Sequence, residues 1–279
     1  MDTDCFGEII YTDDFMWNEM GVTELPKHLY HYTSLESLTL ILKYNTLRFS
    51  RLDGVNDKNE AKSLDFPLAN TAIFTSSWTS HSDESIPMWR MYTRDMDGVR
   101  IKLPVNMFRG RNAPTVLEKG GSSTKYADSI KIQRKESNLI FHTSRIYGPN
   151  KVYYTNEEKY LHSKILHKSH DNYIRINLHD LGMFKEKCWE FEQEWRFKIL
   201  AFPDGFSLPD DEVTKETLDL ETYPTIDKFI DVNLEPGIFN EAEFILGPKA
   251  SEAQHILLTS LIEKYAPEAR IFYSNLQIR

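Results

Sequence analysis

Apolar and aromatic side chains recur along this chain in short blocks whose spacing switches between the period of a strand and that of a helix. Leu29-Tyr30-His31-Tyr32 has strand-type residues, and Thr33 or Ser34 can then cap a helix carrying Leu35, Leu38, Ile41 and Leu42 on one face. Asn45 suits the stop, because its side chain tolerates left-handed backbone. Thr46-Leu47-Arg48-Phe49-Ser50 alternates polar and apolar positions as a half-buried strand. The loop Asp53-Gly54-Val55-Asn56-Asp57-Lys58-Asn59-Glu60 is rich in residues that turn the backbone through their own hydrogen bonds. Ala72 to Trp78 reads as a strand, Pro87 to Tyr92 as a short helical turn, and Gly98 to Leu103 as β again.

Further on, Tyr147 to Tyr154 reads as β, and Glu157 to about Leu181 carries apolar positions at helical spacing, which predicts a long helix. In Glu190-Phe191-Glu192-Gln193-Glu194-Trp195-Arg196-Phe197 the odd positions are aromatic apart from Gln193 and the even ones are charged. A strand separates such residues onto two faces, the aromatic one facing a core. Ile230 to Val232, Phe244-Ile245-Leu246 (ended by Gly247-Pro248) and Ile271-Phe272-Tyr273 supply late strands, and Ser251 can cap a helix through Ile256, Leu257, Leu261 and Ile262. This order predicts an α+β fold rather than a strictly alternating parallel sheet. One folding unit over residues 1–279 is expected, with a leader at 1–27 and loop excursions near 110–127 and 203–225.

Composition narrows the class. With 41% hydrophobic and 27% charged residues the chain reads as globular. No stretch approaches the roughly 18 uninterrupted apolar residues of a membrane helix, so no membrane association is expected. The acidic start MDTDCFGEIIYTDDF lacks the basic and apolar regions of a secretory signal, which predicts a cytoplasmic protein. Cys5 and Cys188 show no metal or disulfide spacing and read as free thiols. A net charge of -9 argues against a dedicated duplex-binding surface. Positive charge is densest between residues 98 and 135, including Arg100, Lys102 and Arg109, which could serve a phosphate-bearing ligand or form a solvated surface.

The constellation with most chemical content joins His31-Tyr32-Thr33 to Glu190-x-Glu192-x-Glu194-x-Arg196. On a strand, Glu192 and Glu194 would stand roughly 7 Å apart on one face. In a dry core their desolvation would cost on the order of several kcal/mol unless cations or ligand hydroxyls met them. A polar cleft resolves the conflict, with Arg196 neutralising one carboxylate and the other accepting hydrogen bonds from a ribose. An exposed edge strand laced with ion pairs resolves it equally well. His31 alone reads as a half-buried residue bonded to backbone, but its place at a strand exit, before a capped helix, is where sheets present ligand groups. Asn56, Asp57 and Glu60 could hold a divalent ion, though turn chemistry accounts for Asn56 and Asp57, so no metal is expected. Ser76 and Ser77 lack a local base or nucleophile elbow. Trp89 and Tyr92, at i, i+3, have the spacing of core residues.

Two resemblances extend this reading. Tyr30-His31-Tyr32-Thr33-Ser34, the following helix and Thr46-Leu47-Arg48-Phe49-Ser50 resemble the opening of ADP-ribosyltransferase-like folds, among them DNA-modifying toxins and RNA 2'-phosphotransferases. HYTS, LRFSRLDGVND with a following Glu, MWRMY, GVRI and WEFEQEWRF, over residues 29–198, with LGPK at 246–249, resemble an uncharacterised bacterial family often placed among abortive-infection proteins. The first resemblance implies a split mixed β-sheet with flanking helices, NAD as co-substrate, and a nucleic-acid or protein acceptor. It implies that His31 bonds a ribose and that Glu192 or Glu194 holds the nicotinamide ribose and stabilises an oxocarbenium-like cation. Tyr32, Thr33, Arg48, Ser50 and Arg196 would line the nucleotide site, and Trp78, Trp89 or Tyr92 would stack on nicotinamide. The two together imply an antiviral effector or toxin. A non-catalytic nucleotide or nucleic-acid sensor on the same scaffold is the first alternative. Metal-dependent nucleic-acid hydrolysis through Asp57, Glu60 and the strand carboxylates is the second.

Overall fold

The structure, a computed structural model, describes residues 15–66, 68–111, 124–127, 130–131, 139–141, 145–168, 174–203 and 227–278. Its first half runs β1 (His28–Thr33), α1 (Leu35–Tyr44), β2 (Thr46–Arg51), β3 (Ile73–Thr79), α2 (Ile86–Tyr92) and β4 (Val99–Pro104). There follow β5 (Gly110–Arg111), β6 (Thr124–Ala127), β7 (Ile130–Lys131), β8 (Leu139–Phe141), β9 (Arg145–Lys151), β10 (Tyr153–Thr155), α3 (Glu158–Leu161), β11 (Leu166–Lys168), β12 (Ile174–Ile176) and β13 (Phe184–Glu186). Last come β14 (Glu194–Pro203), β15 (Phe229–Asn233), β16 (Glu243–Leu246), α4 (Glu252–Tyr265) and β17 (Arg270–Tyr273). The architecture is α+β, built on one large sheet that is largely antiparallel; β16 and β17 pair in parallel at its edge.

Local signals explain the elements near the site. Ser34 caps α1 by accepting from the Ser37 amide, and Asn45 ends it at φ 51, the left-handed stop expected of an asparagine. The Asn45 side chain also donates to the Leu234 carbonyl, tying the helix end to the residue just after β15. Ser85 caps α2 with Pro87 in its first turn, and Ser251 opens α4 with a reciprocal capping box to Gln254.

The sheet order is β17-β16-β4-β1-β3-β14-β9-β6-β5, and it contains a split. Strand β14 pairs with β3 from Ile73 to Thr79, occupying one whole edge. The other edge is shared: β1 touches it at Tyr30↔Thr79 and β2 at Ser50↔Thr75 and Arg51↔Phe74. Between these points β1 and β2 leave β3, each continuing with its own partner, β1 with β4 and β2 with β15. A V-shaped gap therefore opens beside Ser76, Ser77 and Trp78.

Aliphatic and aromatic residues of the inner strand faces pack beneath this sheet, among them Leu29, Phe74, Ile101, Phe197 and Phe244, together with Leu38 of α1 and Leu258 of α4. Phe15 and Trp17 belong to that core, so the second half of the expected leader is structural; Phe15 packs edge-on against Tyr153 at 5.4 Å. A second cluster gathers Leu52, Ile73, Ile165, Leu178 and Leu200.

One expectation needs correction. The helix read over 157–181 is confined to Glu158–Leu161, and β11 and β12 pair antiparallel beyond it. Apolar residues there serve the second core cluster rather than one continuous helix face, and Gly182, at φ 76, marks an irregular turn. Within 110–127, the ends pair as β5 and β6, while 112–123 lie outside the described residues. Of 203–225, all but Pro203 likewise lies outside them.

Glycines of two sequence motifs meet. Gly247 of LGPK donates its amide to the carbonyl of Gly98 of GVRI at 2.9 Å. A Cβ on Gly98 would lie 2.3 Å from the Thr33 carbonyl, and one on Gly247 2.3 Å from the Met96 carbonyl. Backbone cannot yield as a side chain can, so Gly98→Ala should lower stability by about 2–3 kcal/mol, read from the midpoint of denaturant unfolding.

Candidate functional site

The split in the sheet is lined by groups that cannot all be satisfied by backbone pairing. Where β1 and β2 diverge, the Ser77 carbonyl faces the gap, and His31 Nδ1 lies 3.0 Å from it. A carbonyl can only accept, so Nδ1 carries the proton and Nε2 presents a lone pair. Burial pushes His31 below the usual imidazole value, a shift that the Ser77 bond opposes, so the ring is neutral at physiological pH. Trp78 packs against it at 5.1 Å and donates its indole N–H to the Ser76 hydroxyl at 3.0 Å.

A cleft of about 890 Å³, its open mouth included, occupies this gap. Strand β1 contributes Tyr30, His31 and Tyr32, strand β2 Arg48 and Ser50, and strand β3 Thr75 to Trp78. The opposite wall holds Asn56, Met88 and Tyr92, and the floor Lys185, Glu192, Glu194 and Arg196. The two distant segments singled out from the sequence therefore line one cavity. Thr75 Oγ1 is buried there without a hydrogen-bond partner among the described residues.

The acidic segment is arranged differently from the strand expected of it. Residues Lys187–Glu192 form a 3₁₀ turn ended by Gln193 at φ 45, and the strand starts only at Glu194. Glu192 and Glu194 are thus brought together by a left-handed residue rather than by strand period. Both carboxylates reach one ammonium, Lys185 Nζ, at 2.6 Å and 3.3 Å. Arg196 grips Glu194 bidentately, through Nε at 2.5 Å and Nη2 at 2.8 Å, and also donates to Glu60 and to the Gly182 carbonyl. Nor is this an exposed edge. Because β14 lies between β3 and β9, its charged face is enclosed, leaving Glu194 at 3%, Arg196 at 1% and Lys198 at 2% exposure.

Three carboxylates thus surround two cations, leaving one excess negative charge beside the cleft. Burial and the Glu194 carboxylate raise Glu192 above the usual carboxylate range, against the pull of Lys185 and Tyr92. Burial acts on Glu194 too, but Arg196 and Lys185 overcome it and hold that carboxyl down at about 2. The Tyr92 hydroxyl donates to Glu192 Oε1, and burial together with that carboxylate raises the phenol strongly. Further along, burial pushes Lys198 down to about 7 while its ammonium donates to the carbonyls of His179 and Leu181.

Not every expected residue reaches the cleft. Trp89 is fully buried, donating its indole to Glu84 at 3.0 Å and packing edge-on against Tyr32 at 4.9 Å. Thr33 lines a neighbouring groove along α1 that shares His31, Arg48, Ser50 and Ser76 with the cleft. Arg48 stacks on Phe229 at 3.6 Å and pairs with Asp231 at 3.0 Å, which fixes its guanidinium at the mouth. Glu60 and Asp57 do not form a metal cage: Glu60 is ion-paired to Arg196, and Asp57 accepts the Asn59 amide at 2.9 Å as a turn residue. Among the described residues no group of three or more His, Cys, Asp or Glu side chains could hold a metal. The basic stretch is also partly structural, since Arg100 is buried under Tyr30, and Lys102 pairs with Glu243 at 3.0 Å. Lys185, which hydrogen-bonds both carboxylates, was not marked by any sequence pattern, and Ser77, which bonds Glu194, was weighed only as a nucleophile.

Residues 88–197 match the model of a family described as a protein of unknown function, DUF2971. No curated protein and no solved structure matches the chain. The matched stretch carries Tyr92, Lys185, Glu192, Glu194 and Arg196, and it leaves out His31, Arg48 and Ser50. Among the described residues no helix is long and apolar enough to cross a membrane.

The buried network sets a stability test. Removing one partner strands the others, so Arg196→Ala should cost about 3–5 kcal/mol by denaturant unfolding. The folded Glu194 value lies below its unfolded one, so its contribution to stability is complete above the ordinary carboxylate pKa of about 4.3. It should disappear as pH falls toward about 2. Thermal unfolding across that range checks the sign.

Proposed function

We propose that the cleft binds a nucleotide and that its substrate is NAD, cleaved at the bond between nicotinamide and ribose with transfer of ADP-ribose to a nucleic-acid or protein acceptor. The observation that carries this reading is the meeting of a neutral imidazole and an unevenly neutralised pair of carboxylates in one cavity. In it, His31 Nε2 accepts a hydrogen bond from a ribose hydroxyl. Glu192 holds the nicotinamide ribose and stabilises positive charge at the anomeric carbon as the carbon–nitrogen bond breaks and its electron pair leaves with nicotinamide. The acceptor, or water, then adds to that carbon and loses a proton.

Glu192 suits the role better than Glu194, because Glu194 is committed to both arms of the Arg196 guanidinium. The residues fit a nucleoside: Tyr30, Trp78 and Tyr92 bring aromatic side chains to the lining, Ser50 and Thr75 offer hydroxyls, and Arg48 offers a cation for a phosphate. The split sheet also supports kinship with ADP-ribosyltransferase-like folds, which present nucleotide ligands at such a gap. An antiviral or toxin setting is what the two resemblances together imply.

One observation favours a second reading, a nucleotide sensor without turnover. Lys185 and Tyr92 already hydrogen-bond both oxygens of Glu192. On that reading a nucleotide stabilises the fold by mass action, by about 2.7 kcal/mol at a hundredfold excess over Kd, and releases nothing.

Incubation with NAD and target-containing lysate should release nicotinamide, and Glu192→Gln should slow that release by about 10²-fold or more, the range for losing one preorganised charge contact. Inertness under those conditions sinks the transferase; thermal stabilisation by NAD without release selects the sensor. The rate should also fall on acidification at a pH above the ordinary glutamate value, because Glu192 must be ionised and its carboxyl is raised. A pH profile with an unshifted acid limb would remove Glu192 from the role.

A further inference from the structure

The segment that follows β17 is bonded to the helix that delivers Tyr92 to the cleft, and one carboxylate makes the connection. Glu84 Oε2 accepts the Trp89 indole N–H at 3.0 Å and the Ser274 hydroxyl at 2.6 Å. Its other oxygen accepts the Asn275 amide at 2.9 Å. Three donors therefore converge on one side chain from two parts of the chain far apart in sequence, and no ion pair to Glu84 occurs among the described residues. Leu276 and Ile278 pack onto the cluster of Tyr32, Met88, Trp89 and Met96. From this cluster Met88 lines the cleft, and α2 runs on to Tyr92.

We infer that Glu84 is a positioning residue, and that segment 274–278 acts through it as a strap that seats α2 and places the Tyr92 hydroxyl on Glu192. Short helices have little stability of their own, since nucleation fixes several residues before hydrogen bonding repays them. Helix α2 spans only Ile86–Tyr92. Its start is held by the Ser85 cap, whose own amide donates to the Tyr32 hydroxyl at 3.1 Å, and its middle by Glu84 through Trp89. Without the strap, Glu84 loses two of its three donors, the carboxylate that accepts from Trp89 is no longer fixed, and the last turn loses its reference. Tyr92 then no longer stands where its proton can reach Glu192. A negatively charged acceptor suits this place, because hydrogen bonds to an ionised group are stronger and a single oxygen can receive two of them.

The inference concerns placement and stands on geometry; only its consequence for turnover rests on the proposed activity. The test uses the full chain with ¹³C-labelled glutamate. Glu84→Ala removes all three acceptor contacts, and Ser274→Ala removes one, keeping the question open should the first variant fail to fold. Loss of the Tyr92 hydrogen bond removes an influence that lowers Glu192. The Glu192 carboxyl midpoint should therefore move up by about one pH unit in Glu84→Ala, the size of one hydrogen bond to a charged group, and by less in Ser274→Ala. Glu84→Gln, which retains one acceptor oxygen, should restore part of the shift. Amide exchange over 86–92 should speed up in the same order. A folded Glu84→Ala or Ser274→Ala variant whose Glu192 midpoint and helix exchange both match the parent, whatever its melting temperature, overturns the inference. Neither readout needs NAD, so failure here is distinguishable from failure of the proposed activity.

Discussion

The cleft depends on a stretch of β3 that has lost its neighbours on one side. An interior strand must satisfy its backbone polar groups, because an unpaired buried carbonyl costs as much as a lost hydrogen bond. Strands β1 and β2 both claim the same edge and both abandon it between Thr75 and Thr79. The Ser77 carbonyl left in the gap accepts a hydrogen bond from His31 Nδ1 instead. That substitution closes the sheet electrically without closing it sterically, so a cavity persists in the middle of the fold. It also sets the tautomer of the ring, and with it the chemistry that Nε2 can offer.

The same opening makes the buried charges tolerable. Glu60, Glu194, Arg196 and Lys185 are almost wholly withdrawn from water. Such a cluster survives only when nearly every oxygen and proton has a partner, and the bidentate Arg196 grip achieves most of that. The remaining carboxylate, Glu192, lines the cleft. Strand β14 accordingly has two buried faces of opposite character: hydrocarbon in Trp195, Phe197 and Ile199, and ions in Glu194, Arg196 and Lys198.

Much of this was legible in the sequence because local rules and tertiary demands agree there. The Ser34 and Asn45 caps bound α1 as their side-chain chemistry dictates, and the alternation of Thr46 to Ser50 corresponds to β2. Alternation in Glu190 to Phe197 was real only from Glu194; before it, the charged and aromatic residues lie on a 3₁₀ turn, because Gln193 adopts a backbone conformation that period counting cannot register. The long helix expected after Glu157 failed for a related reason: apolar spacing there reflects packing into a second core from short strands and turns. Trp89 and Tyr92 share a helix but part company, one in the core with its indole donating to Glu84 and one in the cleft with its hydroxyl donating to Glu192. Lys185 carries no mark at all, since a single lysine on a three-residue strand gains meaning only from the carboxylates that folding brings to it.

Two glutamates separated by one residue end with opposite electrostatic fates, and that divergence bears most directly on function. Identical side chains in identical surroundings would share their proton; here, of the two, Glu194 is the one that Arg196 grips, while Glu192 is met by Lys185 and a phenol. Glu194 is consequently an ion under all ordinary conditions and serves the fold. Glu192 lies closer to its point of neutralisation, at the cavity wall, where a ligand's hydroxyls or a developing cation would change its energy most. Pairs of titratable groups driven apart by their environments are a recurrent mark of sites that handle charge during a reaction. A merely structural ion cluster has no need to leave its least neutralised carboxylate lining a cavity that also holds an imidazole.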